Sequence, residues 1–142
     1  MAISEYNVAS IIFVNPQHKL ILQKRDNKPG IRNANMITVW GGACEGDESP
    51  LQAAVREVHE ETNLKPSETD LEFFGKYERN YKVDDKQVVN YVYLLKNIDE
   101  SQLKVFEGQG YVLVDPTNDT ENPLYTELSQ TLVADYGAYA SS

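Results

Sequence analysis

Two stretches of this chain are apolar on both faces, residues 8–14 (VASIIFV) and residues 88–95 (VVNYVYLL). A strand of that kind must be covered from above and below, so both belong at the centre of a sheet with material packed on each side. The other segments fit this requirement. Residues 20–22 read as a second strand, ending in Lys24-Arg25 and preceded by the turn signal Asn15-Pro16-Gln17-His18. A short strand is expected around residues 37–40, before Gly41-Gly42, and another at 111–114. Residues 71–83 alternate, with Leu71, Phe73, Tyr77, Tyr81 and Val83 on one face and Lys76, Glu78, Asn80 and Lys82 on the other. Asp84-Asp85-Lys86 then reads as a hairpin turn. Residues 26–35, with Pro29, Gly30, Asn27, Asn33 and Asn35, read as a long surface loop.

The clearest helix covers residues 49–62. Ser49 caps it, Pro50 suits its first position and Gln52 completes a capping box. Leu51, Ala54, Val55 and Val58 form its buried stripe, and Asn63 is expected to close it in a left-handed cap. A second helix is expected from Asn122-Pro123 to Tyr136 or Ala138, with Leu124, Leu128, Leu132 and Tyr136 facing inward. Strands joined mostly by short turns, with two helices inserted, predict a mixed sheet with helices packed on it rather than a doubly wound parallel fold.

At 142 residues the chain amounts to one domain, expected to span residues 1–142. No apolar run approaches the roughly 20 residues that span a bilayer. The start, MAISEYNVASIIFVN, has no basic region ahead of its apolar run, so neither a membrane partner nor a secretory leader is expected. The single cysteine, Cys44, permits no intrachain disulfide and fits a reduced, cytoplasmic setting. Thirteen basic and 22 acidic residues leave a net charge of −9, which argues against a nucleic acid polymer as partner. A small phosphorylated ligand remains compatible if metal ions stand between the two sets of negative charge.

Acidic residues cluster around the first helix. Glu57, Glu60 and Glu61 stand at i, i+3 and i+4 and share a face, and Glu48 lies just before the helix. Residues 42–64 hold six acidic side chains against one arginine, Arg56. Like charges at this spacing repel, and two of them sit where the helix dipole disfavours them. Two readings follow from the cluster itself: a solvated acidic face, or a site for hard divalent cations bound through oxygen.

The spacing is more specific. Gly42, five residues, Glu48, seven residues, then Arg56-Glu57-Val58-His59-Glu60-Glu61-Thr62-Asn63-Leu64 strongly resembles the Nudix box, G-x5-E-x7-R-E-U-x-E-E-x-G-U, where U is a bulky aliphatic residue. The one departure inside the box is Asn63 in place of glycine. Trp40 stands where the family commonly has proline. Glu107-Gly108-Gln109 resembles the loop of MutT-like members that supplies a further metal-binding glutamate, and Arg25 resembles an arginine those members place near the nucleotide.

The resemblance implies an α/β (α+β) fold, a Nudix-type mixed β-sheet packed between helices as an α/β/α sandwich. It implies hydrolysis of a nucleoside diphosphate linked to another group, with Mg²⁺ required and Mn²⁺ as a substitute. Glu57, Glu60 and Glu61, the backbone carbonyl of Gly41, and Glu107 are then metal ligands. One of these glutamates serves as general base, without the sequence choosing among them. Arg56 and Glu48 hold the box in shape. Arg25, Tyr81 and Asn118 are the expected substrate contacts, with Asn122 preferred as a helix cap. The expected substrate is a small-molecule nucleotide, most simply a nucleoside triphosphate, oxidised or non-standard forms included, cleaved to monophosphate and pyrophosphate by a monomer or homodimer. The alternatives are a dinucleoside polyphosphate hydrolase and a catalytically silent nucleotide-binding module. An acidic calcium-binding protein lacks support, because no EF-hand loop pattern occurs. Cys44 reads as a packing residue, and His18 and His59 have no metal-ligand spacing.

Overall fold

In a computed structural model, residues 5–141 are described; residues 1–4, part of the stretch read above for a leader, and residue 142 lie outside them. The chain runs β1 (Glu5–Val14), β2 (Leu20–Lys24), β3 (Ile37–Thr38), β4 (Trp40–Ala43), α1 (Pro50–Glu61), β5 (Leu71–Val83), β6 (Lys86–Leu95), β7 (Tyr111–Val114) and α2 (Glu127–Ser141). The two apolar stretches pair with each other. β1 and β6 run parallel, with Val8 opposite Asn90 and Ile12 opposite Leu94. The sheet order is β3-β2-β1-β6-β5, with β4 paired to β1 and β7 paired to β2.

Alternation along β1 divides the core between the two faces of the sheet. Ala9, Ile11 and Phe13 pack with Ala53, Ala54 and Val58 of α1. Ile12 and Val14 pack with Leu128, Leu132, Val133 and Tyr136 of α2. The sheet is therefore packed between the two helices, as a mixed α+β architecture. Among the described residues, no helix is long and apolar enough to cross a membrane.

β3 and β4 are one extended segment split between two partners: Ile37 and Thr38 pair with β2, whereas residues 40–43 pair with β1. At the break, the Val39 amide donates to Ser129 Oγ of α2 at 3.1 Å. Trp40 anchors the next step. It is fully buried, stacks on Phe13 at 4.8 Å between ring centroids, and donates from Nε1 to the Ile21 carbonyl at 2.8 Å.

Three local expectations are corrected. β5 does not keep one face: an irregularity between Phe73 and Gly75 shifts its register against β6. Phe73 is 56% exposed and meets Tyr93 on the α1 side, while Phe74 and Tyr77 pack against the α2-side core. The extra residue flips the alternation. The second helix begins at Glu127, because residues just before it are used by the sheet: Ile37 N donates to Leu124 O at 2.8 Å and Thr126 N to Ile37 O at 3.1 Å. Asn122 caps a turn instead, its Oδ1 accepting from Leu124 N at 2.8 Å. Finally, α1 ends with Thr62 extended at φ −143°, and Asn63 is not among the residues with positive φ. The Ser49–Gln52 capping box is present as read, and Asp84 and Asp85 both take positive φ, as a two-residue hairpin turn of type I′ requires.

The later helix start separates two leucines that the sequence pattern treats alike. Leu132 is fully buried and Leu124 is 38% exposed. Leu132→Ala is expected to lower the unfolding free energy by about 2–5 kcal/mol. Leu124→Ala should cost about 1 kcal/mol or less. Urea denaturation of both variants checks this.

Candidate active site

The acidic residues of α1 are organised by one guanidinium. Arg56 donates from Nε to Glu48 Oε2 at 2.8 Å and from Nη2 to Glu48 Oε1 at 2.9 Å, a bidentate fork. Its Nη2 also donates to the Ala43 carbonyl at 3.1 Å. Its Nη1 donates to Glu57 Oε1 at 2.9 Å and to both Glu60 oxygens at 3.1 Å. The loop after β4 is thus tied to the helix that follows it. The bond from Arg56 holds the Glu48 carboxyl below its ordinary range, and the bonds to Glu48, Glu60 and Glu57 hold the guanidinium proton more tightly than usual.

Glu61 is placed differently. Ala54, Val58 and Glu61 follow one another on the buried side of α1, so Glu61 lies under the sheet at 7% exposure rather than on a solvent-facing acidic side. Its Oε1 accepts from the Gly41 amide at 2.9 Å. Burial pushes its carboxyl from 4.5 up to about 8, and the charges of Glu57, Glu107 and Glu60 push the same way. Burial also raises Glu57. The backbone requires glycine at 41, and at 42 the end of the Glu57 side chain fills the place of a Cβ. A Cβ on Gly42 would stand 2.5 Å from Glu57 Oε1, and one on Gly41, at φ +136°, would stand 2.0 Å from the Ala9 carbonyl oxygen.

Among the described residues, no three carboxylate, histidine or cysteine side chains are placed so that they could hold a metal ion as they stand. Glu57 and Glu60 lean on Arg56 instead, and among the described residues no ion pair reaches Glu61. The group nevertheless fits a divalent metal. The donors are all hard oxygen, and a buried carboxylate without a counter-cation is what a bound Mg²⁺ would relieve.

On the α2 face, a cleft of about 400 Å³ adjoins this cluster and shares Gly41 and Gly42 as its wall. Arg25, Arg32 and Arg79 line it, with Tyr81 and Asn90. The Arg32 and Arg79 guanidinium groups each lie 5.4 Å from the Tyr81 ring centroid. Arg25 Nε donates to the Arg32 carbonyl at 3.0 Å and braces the loop after β2. Asn90, 5% exposed, donates from Nδ2 to Ser10 Oγ at 2.9 Å, and its buried Oδ1 has no partner among the described residues.

The structure therefore brings together Glu48, Arg56, Glu57, Glu60, Glu61 and Gly41, with Glu107 close enough to act on Glu57 and Glu61. It brings Arg25 and Tyr81 into the neighbouring cleft. Asn118 does not line this cleft; its Nδ2 donates to Asp115 Oδ2 at 3.1 Å in an exposed turn. The sequence reading missed Arg79 and Asn90. Asn90 left a signal, a lone amide in an apolar strand (VVNYVYLL). Arg79 left none, since a basic residue on an alternating strand reads as solvated.

Residues 5–121 match the NUDIX domain family, so the chain belongs to the Nudix family and is a Nudix hydrolase. It is similar in structure to a MutT protein from Methanosarcina mazei Go1, at TM-score 0.77 and 17% identity over 100% of this chain and 99% of that one. The E. coli ORF135 protein is similar at TM-score 0.76 and 21% identity over 98% of this chain and 93% of that one. The E. coli dihydroneopterin triphosphate pyrophosphohydrolase gives TM-score 0.70 and 15% identity over 98% and 99%. At these identities the likeness shows the fold. No curated protein matches the chain.

The burial of Glu61 has a measurable consequence in metal-free buffer. Its folded pKa, about 8, lies above the ordinary 4.5, so the folded state holds this proton more tightly than the unfolded chain. The resulting stability is present below the lower value and is lost as the pH rises through the upper one. The melting temperature of the parent protein should fall more steeply across that window than that of Glu61→Gln. Equal slopes would remove the buried Glu61 charge as the cause.

Proposed function

We propose that this Nudix hydrolase is a Mg²⁺-dependent pyrophosphohydrolase that cleaves a nucleoside triphosphate to a monophosphate and pyrophosphate. One observation carries the reading: a carboxylate cluster short of a counter-cation stands against an arginine-lined cleft, with only the backbone of Gly41 and Gly42 between them. Polyphosphate is the ligand that needs both, cations at its reacting end and guanidinium groups along its length.

Glu57, Glu60, Glu61, Glu107 and the Gly41 carbonyl are the groups that would hold Mg²⁺, with Mn²⁺ as a substitute. When bound, such a metal neutralises phosphoryl oxygens and lowers the pKa of a water molecule. Arg56 and Glu48 hold the loop and helix so that these carboxylates face one another. Arg25, Arg32 and Arg79 offset phosphate charge in the cleft. Tyr81 offers a ring face to a nucleobase, and Asn90 Oδ1 is an acceptor awaiting an N–H donor on it. The Glu107 carboxylate makes no hydrogen bond or ion pair among the described residues. It is free to meet a cation or to take a proton from the attacking water.

The test is a hydrolysis panel of canonical and oxidised nucleoside triphosphates and dinucleoside polyphosphates with Mg²⁺, the products resolved by chromatography. Monophosphate plus pyrophosphate from a triphosphate is the expected outcome. Cleavage of dinucleoside polyphosphates alone would move the substrate and keep the reaction class. Nucleotide binding without turnover, with Mg²⁺ or Mn²⁺, would mark a binding module. Glu57→Gln should lower kcat by about 100-fold or more. Tyr81→Ala should weaken substrate binding by about 1–3 kcal/mol, read as a rise in KM.

A further inference from the structure

Asn63 occupies the place where the Nudix box has glycine, and its side chain has work that a glycine could not do. Its Nδ2 donates to the Gln102 carbonyl at 3.1 Å, and its Oδ1 accepts from the Lys104 amide at 2.8 Å. Its own amide donates to the Lys104 carbonyl at 3.1 Å. Beside it, Thr62 and Val105 form an antiparallel bridge, and Phe106 N donates to the Glu61 carbonyl at 2.8 Å. The side-chain amide thus imitates one more peptide unit of strand pairing, and extends the seam between the end of α1 and residues 102–106 by two hydrogen bonds.

That seam leads directly to Glu107. On the far side of Glu107 the chain is fixed again: Gln23 Nε2 donates to the Glu107 carbonyl at 3.4 Å, and Gln109 N donates to the Lys24 carbonyl at 2.8 Å. Gly108, at φ +83°, passes so close to β2 that a Cβ would stand 2.6 Å from the Lys24 carbonyl oxygen. Glu107 therefore hangs between two anchors, one on α1 and one on β2, while its own carboxylate makes no hydrogen bond or ion pair among the described residues. The anchors set where its backbone lies relative to α1 and β2. Removing the two bonds of Asn63 loosens the α1 anchor and leaves the β2 anchor intact.

We propose that Asn63 is a positioning residue that acts through Glu107, holding that carboxylate toward the Glu57–Glu61 cluster. The inference rests on the reading of Glu107 as a metal-binding group. It is tested with Asn63→Ala, Glu107→Gln and the double variant, by two measurements. The first is the affinity for Mn²⁺ alone, read by electron paramagnetic resonance of the free ion. The second is amide hydrogen exchange at Lys104 and Phe106. Asn63→Ala should speed exchange at both amides and weaken Mn²⁺ binding by about 10-fold. Glu107→Gln should weaken Mn²⁺ binding at least as much, and adding Asn63→Ala to it should bring no further loss. A loss from Asn63→Ala that persists in full in the Glu107→Gln background would overturn the inference, because the residue would then be acting on the helix as a whole. Unchanged Mn²⁺ affinity in Asn63→Ala, alongside weakened binding in Glu107→Gln, would overturn it as well. Unchanged affinity in Glu107→Gln itself would sink the reading of Glu107 first, and the inference with it.

Discussion

Mutual repulsion among carboxylates is the constraint around which this molecule is arranged, and the Arg56 guanidinium is what restrains it. Glu48, Glu57 and Glu60 approach one another only because a single cation with five donors reaches all three and the Ala43 carbonyl besides. A lysine would supply the charge without the fork. The same contacts join the loop after β4 to α1, so the electrostatic solution is also the structural one. Once that loop is fixed, β4 is held against β1, and the two glycines at its centre lie where side chains would collide.

Those glycines turn a strand into a thin partition. On one side lies Glu61, buried and reluctant to ionise, with its oxygen on the Gly41 amide. On the other lies a cleft bearing three arginines. The backbone keeps the two apart, and each remains available to a ligand that carries charge of both kinds, a polyphosphate with its cations.

Much of this was legible in the residue order, where local chemistry decides. The Ser49–Gln52 box starts α1 because the groups that satisfy its first amides are within three residues of each other. The double-sided strands are central because their composition leaves no face to present to water. The Arg56–Glu48 pair is legible only through the resemblance to the Nudix box, since Glu48 lies outside α1 and the loop before Ser49 brings it to Arg56. The misreadings came from non-local competition. β5 departs from strict alternation because its pairing with β6 accommodates an extra residue near Phe74. The second helix starts late because Ile37 claims Leu124 and Thr126 for the sheet.

The sequence by itself determined the elements, the acidic box and the family to which its spacing points, since these depend on periods and intervals along the chain. The tertiary structure alone decided which carboxylate is buried, because helical spacing puts Glu57, Glu60 and Glu61 on one face and only the packing of α1 against the sheet singles out Glu61. It alone decided that Arg79, Tyr81 and Asn90, on two different strands, share a cleft with Arg25. It also decided that Asn63 grips residues 102 and 104 instead of turning left-handed. Each is a meeting of residues far apart in the chain, and such meetings are fixed by how the sheet curls and what lies across it, which no interval along the sequence encodes.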